Sequence, residues 1–272
     1  MRPLITLTTD FGERDPYAAA MKGVILAIAP ESRIVDLTHE IAPQDIHEAA
    51  LFLRATLPWF PKGSIHIVVV DPGVGTTREP LAVDLDGRIV VCPNNGLLGW
   101  VMELLPMRRA IILDPAKCSD KPVSATFHGR DLFAPAAARI AAGTPMEQLG
   151  DTIETVEKLP FPSPKWLDNG WIEGEVIHID RFGNCITNIP GDWAAKAERP
   201  ETRIDGMPPA PFHRTYGEVA VGAPLAYAGS SGLLEVALNQ GNASRAHGIE
   251  RGARVSVIMD LNGGRRSEEA RK

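Results

Sequence analysis

Between residues 159 and 164 the chain reads Leu159-Pro160-Phe161-Pro162-Ser163-Pro164, with a proline at every second position. Proline fixes φ and lacks a backbone donor, so this stretch is excluded from helices and inner strands and runs as a stiff, extended connector. The chain divides there into halves with different sequence periods. The expected organisation is an α/β domain over residues 1–158, a Pro-rich linker over 159–170, a β domain over 171–262 and a charged tail over 263–272. The tail is poor in apolar residues, which predicts disorder. A length of 272 residues suits two such domains.

Before the connector, strands alternate with helices, the pattern of a sheet covered by helices. Residues 4–8 alternate as a strand and run into Thr9-Asp10-Phe11-Gly12. Asp15 as N-cap and Pro16 at the first helical position predict a helix over 17–29, stopped by Pro30. Residues 34–37 predict a strand. Asp45, with Glu48 three residues on, predicts a capping box for a helix over 46–57. Residues 65–70 are almost wholly β-branched, as in a buried central strand, and empty into Asp71-Pro72-Gly73-Val74-Gly75. Asp86-Gly87 between two apolar runs predicts a type I′ hairpin, hence an antiparallel excursion within the sheet. A helix over 97–105, a strand over 110–113 and a helix over 132–142, capped by Asp131 and followed by Gly143, complete this half.

After the connector come short runs separated by Gly, Asn and Pro, predicting strands over 171–179, 185–189, 218–221, 225–228, 233–238 and 254–259. That spacing fits a small sandwich or barrel.

Composition narrows the function. Lys and Arg number 28 against 34 Asp and Glu, a net charge of -6, so no broad basic footprint for nucleic acid exists. The apolar stretches are too short for a secretory leader or a membrane span, which points to a cytoplasmic protein. Three cysteines, Cys92, Cys118 and Cys185, form no CxxC pair and are expected to be buried apolar residues. No HExxH, P-loop, three-glycine dinucleotide fingerprint or Gly-x-Ser-x-Gly elbow occurs, so neither a metal nor a bound cofactor is expected.

The chemistry-bearing candidates fall just after predicted strands: Asp10, then Asp71 and Arg78, then Asn94 and Asn95. In open α/β sheets ligands bind outside the carboxyl ends of the strands, so such positions can converge. His128 precedes a helix start, where free N–H groups favour an anionic species. Taken singly, each has a plain alternative as a turn, cap or surface residue. In the second half, Asp180 to Asn188 and Gly229 to Glu235 concentrate carboxamides, acids and hydroxyls between strands, as either hairpin turns or contacts to a polar ligand.

Taken in order, Thr9-Asp10-Phe11-Gly12, Asp15-Pro16-Tyr17, Met21-Lys22-Gly23, Val70 to Arg78, Pro93-Asn94-Asn95-Gly96-Leu97-Leu98, Thr126-Phe127-His128-Gly129-Arg130-Asp131, Asp180 to Asn188 and Gly229 to Gly232 resemble the S-adenosyl-L-methionine hydroxide adenosyltransferase family, hydrolase relatives of the fluorinase and chlorinase. The resemblance spans residues 4 to about 260. It implies a Rossmann-like N-terminal domain, a smaller C-terminal β-barrel, and a homotrimer with the substrate held between neighbouring subunits. Position by position, Asp71, Arg78 and His128 match the family's catalytic Asp-Arg-His set and Asp10 its ribose-binding carboxylate. Asp180 and Ser230 match its methionine-end contacts, and Asn184 and Tyr216 its adenine contacts. S-adenosylmethionine would be substrate rather than cofactor.

Where the halogenating relatives carry tyrosine and serine at the halide pocket, this chain has Asp71 and Gly129. A carboxylate repels a halide and accepts a proton from water, so water is the expected nucleophile. The alternatives are a non-catalytic sensor of S-adenosylmethionine or adenosine and a 5′-halogenating enzyme.

Overall fold

Residues 2–196 and 200–259 are described by the computed structural model. The expected tail over 263–272, and the last residues of the expected β domain, lie outside the described residues. Two units divide at Pro160 and Phe161.

The first unit opens with β1 (Leu4–Thr9), α1 (Tyr17–Ile28), β2 (Arg33–Thr38), α2 (Ile46–Thr56) and β3 (Ile65–Val69). Next come β4 (Pro80–Leu85), β5 (Arg88–Pro93), α3 (Gly99–Met102), β6 (Met107–Leu113), α4 (Pro115–Cys118), α5 (Ala134–Ala141) and β7 (Gly150–Ile153). One seven-stranded sheet runs in the order β2-β1-β3-β5-β4-β6-β7. The β2-β1-β3-β5 half is parallel, and the remainder pairs antiparallel. β1 thus sits between the two strands that follow it in sequence, which makes the β1/β3 boundary a topological switch point, the place where such sheets bind ligands. Asp10 leaves β1 and Asp71 follows β3 at the same end of the sheet, one on each side of that boundary, since Thr9 pairs with Val69.

All five residues of β3 are buried. Ile65, Ile67 and Val69 join Met21 and Ile25 of α1 and the alanines of α5 on one face, and Val68 joins Leu53, Leu57 and Leu81 on the other. Ala134, Ala136, Ala137 and Ala138 are fully buried, and their small side chains let α5 pack closely against α1 and the sheet. The hairpin turns through Asp86 (φ 50°) and Gly87 (φ 88°), both positive as type I′ requires.

Several local expectations give way. Asp15 makes no cap; Pro16 holds the N-cap position of α1 without a side-chain bond. Asp45 does cap α2, accepting from the Glu48 N–H at 2.9 Å, but Glu48 Oε2 accepts from Ala42 N–H at 2.9 Å rather than closing the box. The helix expected over 97–105 shrinks to Gly99–Met102, and Pro106 disfavours helix at its expected last residue, Leu105. Asp131 does not start its helix: a wide π-helical turn over Gly129–Phe133 runs directly into α5 and carries Asp131 inside it.

The second unit holds β8 (Lys165–Trp166), β9 (Trp171–Ile179), β10 (Cys185–Pro190), α6 (Gly191–Ala195), β11 (Glu201–Ile204), β12 (Ala210–Pro211), β13 (Pro224–Ala228), β14 (Leu233–Leu238), α7 (Ala243–His247) and β15 (Arg254–Ile258). Its main sheet runs β12-β11-β15-β9-β10-β14-β13, with β8 beside β9. Phe212, just past β12, bridges in parallel to Ala226 of β13, and His213 N–H donates to Ala226 O at 2.8 Å. The two ends of the sheet therefore meet in a nearly closed barrel around Ile172, Val176, Ile189, Ile204, Leu234, Val236, Val255 and Val257. Closure satisfies edges that an open sheet would leave unpaired. Residues 218–221, expected as a strand, instead leave a 3₁₀ turn over Tyr216–Glu218 and enter a turn at Gly222 with φ 80°. Among the described residues, no helix is long and apolar enough to cross a membrane.

Candidate active site

Two groups of candidate residues form, one in each unit. In the first unit, the chain leaving β3 folds into tight turns. Val74 N–H donates to Asp71 O, and Thr76 donates to Gly73 O from both its N–H and its hydroxyl. These turns bring Arg78 back onto Asp71 although seven residues separate them. Arg78 Nε donates to Asp71 Oδ1 at 2.8 Å, and its Nη2 donates to Oδ2, a two-pronged guanidinium-carboxylate pair. The side chains of Asp71 and Arg78 are only 4% and 9% exposed, so water screens the pair weakly.

Gly75 presses this loop against the segment that carries His128. Its φ is +77°, and a Cβ there would lie 2.5 Å from Ala125 O, so no larger residue fits without displacing backbone. His128 then meets Arg78, with Nη2 and Nδ1 2.9 Å apart. A guanidinium offers only donors, so Nδ1 accepts and the neutral ring carries its proton on Nε2. Burial, and then the Arg78 charge, hold the His128 pKa below the ordinary imidazole value, against the opposing pull of Asp71 and Asp131. Phe133 floors the cluster, 5.3 Å beneath the Arg78 guanidinium and fully buried. Arg78 Nη1 is buried and has no hydrogen-bond partner among the described residues. Arg78 also borders a polar cleft of about 480 Å³ with Thr76, Thr77, Asn94 and Asn95.

Asn94 and Asn95 act as ties. Asn95 Nδ2 donates to Val70 O at 2.9 Å, and Asn94 joins Glu79 Oε2 to the Glu157 N–H. Asp10 Oδ2 accepts from Gln44 N–H at 2.8 Å. Gln44 is held at φ 66°, a conformation unusual for a residue with a side chain, which marks the Asp10 contact as worth its backbone strain. Phe11, Tyr17 and Phe127 form an aromatic wall with ring centroids 5.2 to 5.9 Å apart. Gly129 sits against that wall, and a Cβ there would meet Met21 Sδ at 3.1 Å and Phe127 at 3.2 Å. A serine at 129 would need its neighbours to move.

In the second unit, Asp180 organises the loop between β9 and β10. Its Oδ1 accepts from the N–H groups of Phe182 and Asn184, and its Oδ2 accepts from Asn184 Nδ2 at 2.8 Å. Asn184 Nδ2 also donates to the Tyr216 hydroxyl at 3.2 Å. Ser230 is exposed at the tip of the β13–β14 turn, which Gly232 N–H closes by donating to Gly229 O. Tyr227, absent from the sequence expectations, and Glu235, the end of the segment 229–235, join this group. Tyr227 bonds Tyr216 and donates to Glu235 Oε2. Burial raises the Glu235 carboxyl pKa, and the Tyr227 hydrogen bond counters it. The available signal was an acid amid the apolar run Leu233-Leu234-Glu235-Val236-Ala237-Leu238.

Residues 5–150 match the model of the SAM hydroxide adenosyltransferase N-terminal domain, and residues 174–256 match that of the corresponding C-terminal domain. The chain belongs to the SAM hydroxide adenosyltransferase family. Within that family it is 44% identical to a (R)-S-adenosyl-L-methionine hydrolase of Thermus thermophilus, over 95% of this chain and 100% of that protein. A Salinispora tropica protein of the same name is 37% identical over 94% of this chain and 97% of its own. A fluorinase of an Actinoplanes species is more distant, at 27% over 94% of this chain and 97% of that enzyme. The fold matches the crystal structure of an uncharacterized conserved protein from Thermotoga maritima, with a TM-score of 0.86, 33% identity, and coverage of 93% of this chain and 99% of that one. A conserved hypothetical protein of Thermus thermophilus matches with a TM-score of 0.77 and 42% identity, covering 95% of this chain and all of that one.

Proposed function

We propose that this chain hydrolyses S-adenosyl-L-methionine, with water attacking the ribose C5′ to give adenosine and L-methionine. Family membership and the hydrolase names of its more similar relatives support the substrate and the reaction. The observation that carries the reading is the Asp71-Arg78-His128 cluster with its spare buried donor at Arg78 Nη1.

A new O–C5′ bond forms as the C5′–S bond breaks, and its electron pair returns to sulfur. The sulfonium leaves as a neutral thioether, so no general acid is needed and no cofactor is called for. All assistance goes to the nucleophile. The His128 tautomer argues against that ring as the base, since Nδ1 is occupied by Arg78 and Nε2 carries a proton. We assign Asp71 as the proton acceptor, His128 Nε2–H as a donor that orients the incoming oxygen, and Arg78 as the charge that stabilises its hydroxide character. The proton passes from Asp71 to solvent.

Asp10 is assigned to the ribose hydroxyls, and Asp180, Asn184, Tyr216 and Ser230 to the methionine and adenine ends. We further propose a cytoplasmic homotrimer in which residues of the first unit in one subunit and of the second unit in its neighbour act on one substrate molecule. The division of the assigned residues between two units supports that arrangement, and three free, buried thiols suit a reducing compartment.

Asp10→Ala is expected to weaken substrate binding by about 2 to 4 kcal/mol, through loss of two ribose hydrogen bonds to a charged acceptor. Titration calorimetry with adenosine checks this, and an unchanged dissociation constant removes the ribose role. Incubation with S-adenosylmethionine followed by chromatography tests the reaction itself. Adenosine and methionine are expected with or without added halide. Tight binding with intact substrate would mark a sensor, and a halide-dependent halogenated nucleoside a halogenating enzyme.

A further inference from the structure

The hydrogen bonds leading inward from Asn184 run in one direction, and counting protons shows why. Glu235 and Tyr227 face each other across β14 and β13. Tyr227 spends its single hydroxyl proton on Glu235 Oε2, at 2.5 Å. Tyr227 must then accept from Tyr216, which commits the Tyr216 proton in turn. Tyr216 is left as an acceptor, and it takes one hydrogen of Asn184 Nδ2 at 3.2 Å. The other Nδ2 hydrogen goes to Asp180 Oδ2. Both donors of the carboxamide are consumed, so the Asn184 group that remains to meet a ligand is its carbonyl oxygen.

Packing holds the far end of this chain in place. Tyr227 is 9% exposed and Glu235 8%. Glu235 Oε1 lies 1.9 Å from where a Cβ on Gly229 would stand, so the carboxylate fills space that only a glycine leaves. A buried acid needs compensation, and here the Tyr227 hydroxyl supplies it. Neither residue belongs to the assigned contacts, and both lie behind them.

We infer that Glu235, acting through Tyr227 and Tyr216, is a positioning residue that works with Asp180 to hold the Asn184 carboxamide with its oxygen toward the ligand, so that the site favours an amino-purine over an oxo-purine. The inference rests on the proposed adenosyl substrate and deepens it. An amino group donates to a carbonyl oxygen. An oxo group at the same place sets two acceptors face to face, and turning the carboxamide over to relieve this would set its oxygen against both Asp180 Oδ2 and the Tyr216 hydroxyl oxygen. Selectivity therefore resides in the lock as well as in Asn184 itself.

The test uses the full chain with adenosine and inosine as probes in titration calorimetry. The wild-type protein is expected to prefer adenosine by about tenfold or more, as a site built around a hydrogen bond does against a mismatched analogue. Tyr227→Phe cuts the chain, and Glu235→Gln supplies a donor that can reverse it. Each is expected to lower that preference about threefold or more, with adenosine itself bound more weakly. Side-chain amide exchange gives a reading independent of ligand. The Asn184 NH₂ resonances, assigned by their loss in Asn184→Asp, should exchange with water about tenfold faster in either variant. Folded variants with the wild-type nucleoside preference and unchanged Asn184 exchange overturn the lock alone. A wild-type chain that binds neither nucleoside overturns the proposed function, and this inference with it.

Discussion

Asp71→Asn lowers kcat by about 10²- to 10³-fold and leaves KM within about threefold, the signature of a group that meets the nucleophile rather than the bulk of the substrate. Asparagine is the informative replacement. Asp71 is paired with Arg78 through both carboxylate oxygens, and alanine would strand a buried guanidinium at a cost of about 3 to 5 kcal/mol. Asparagine fills the same space and keeps one acceptor for Arg78 while removing the charge and the basicity, with its NH₂ facing the second guanidinium N–H. Thermal unfolding beside steady-state kinetics separates a folding defect from a chemical one. His128→Ala should cost less, about 10²-fold in kcat, because a neutral donor to the nucleophile is lost while the base remains. Wild-type kcat in Asp71→Asn would move the base elsewhere.

Mixing two inactive chains should restore activity. Asp71→Asn spoils the first unit. Asp180→Ala spoils the second, because the Asp180 carboxylate accepts three hydrogen bonds that shape the 180–184 turn and aim Asn184. If each site draws its first-unit residues from one subunit and its second-unit residues from a neighbour, random exchange of equal amounts leaves about a quarter of the sites with both halves intact. Recovery of about a quarter of the wild-type rate is the expected result, and light scattering should give a trimer. No recovery despite demonstrated exchange, or a monomer, would assign every residue of one site to one chain.

Much of this architecture is legible in the residues because the informative strands are long. The β-branched run at 65–70 advertises a buried central strand, and the polar residues that end it and β1 sit where a parallel sheet places its ligands. The Asp86-Gly87 turn declares the antiparallel excursion for the same local reason. Short elements carry no such period. Gly150–Ile153, Glu201–Ile204 and Ala210–Pro211 span two to four residues each, yet one forms a sheet edge and the other two help to close the barrel. Only pairing with distant strands defines them.

The site divides in the same way. Asp71 and Arg78 lie seven residues apart in a Gly-rich turn, so their meeting can be anticipated. The His128 tautomer cannot, because it depends on a guanidinium fifty positions earlier in the chain. Asp131 looks like a helix cap by its neighbours alone, and becomes an interior residue once the π turn forms ahead of it. In the Asn184-Tyr216-Tyr227-Glu235 chain, the Tyr227-Glu235 pair is set by cross-strand register and Tyr216 and Asn184 reach it from separate loops, which sequence spacing does not report.

Solvent labelling decides whether water is the nucleophile and C5′ its target. The reaction is run with S-adenosylmethionine in ¹⁸O-water, and both products are analysed by mass spectrometry. Attack of activated water at C5′ predicts one heavy oxygen in adenosine, located on the 5′ hydroxyl, and none in methionine. Label in methionine, release of free adenine, or unlabelled adenosine would contradict water attack at C5′ and the role of the Asp71-Arg78-His128 cluster with it.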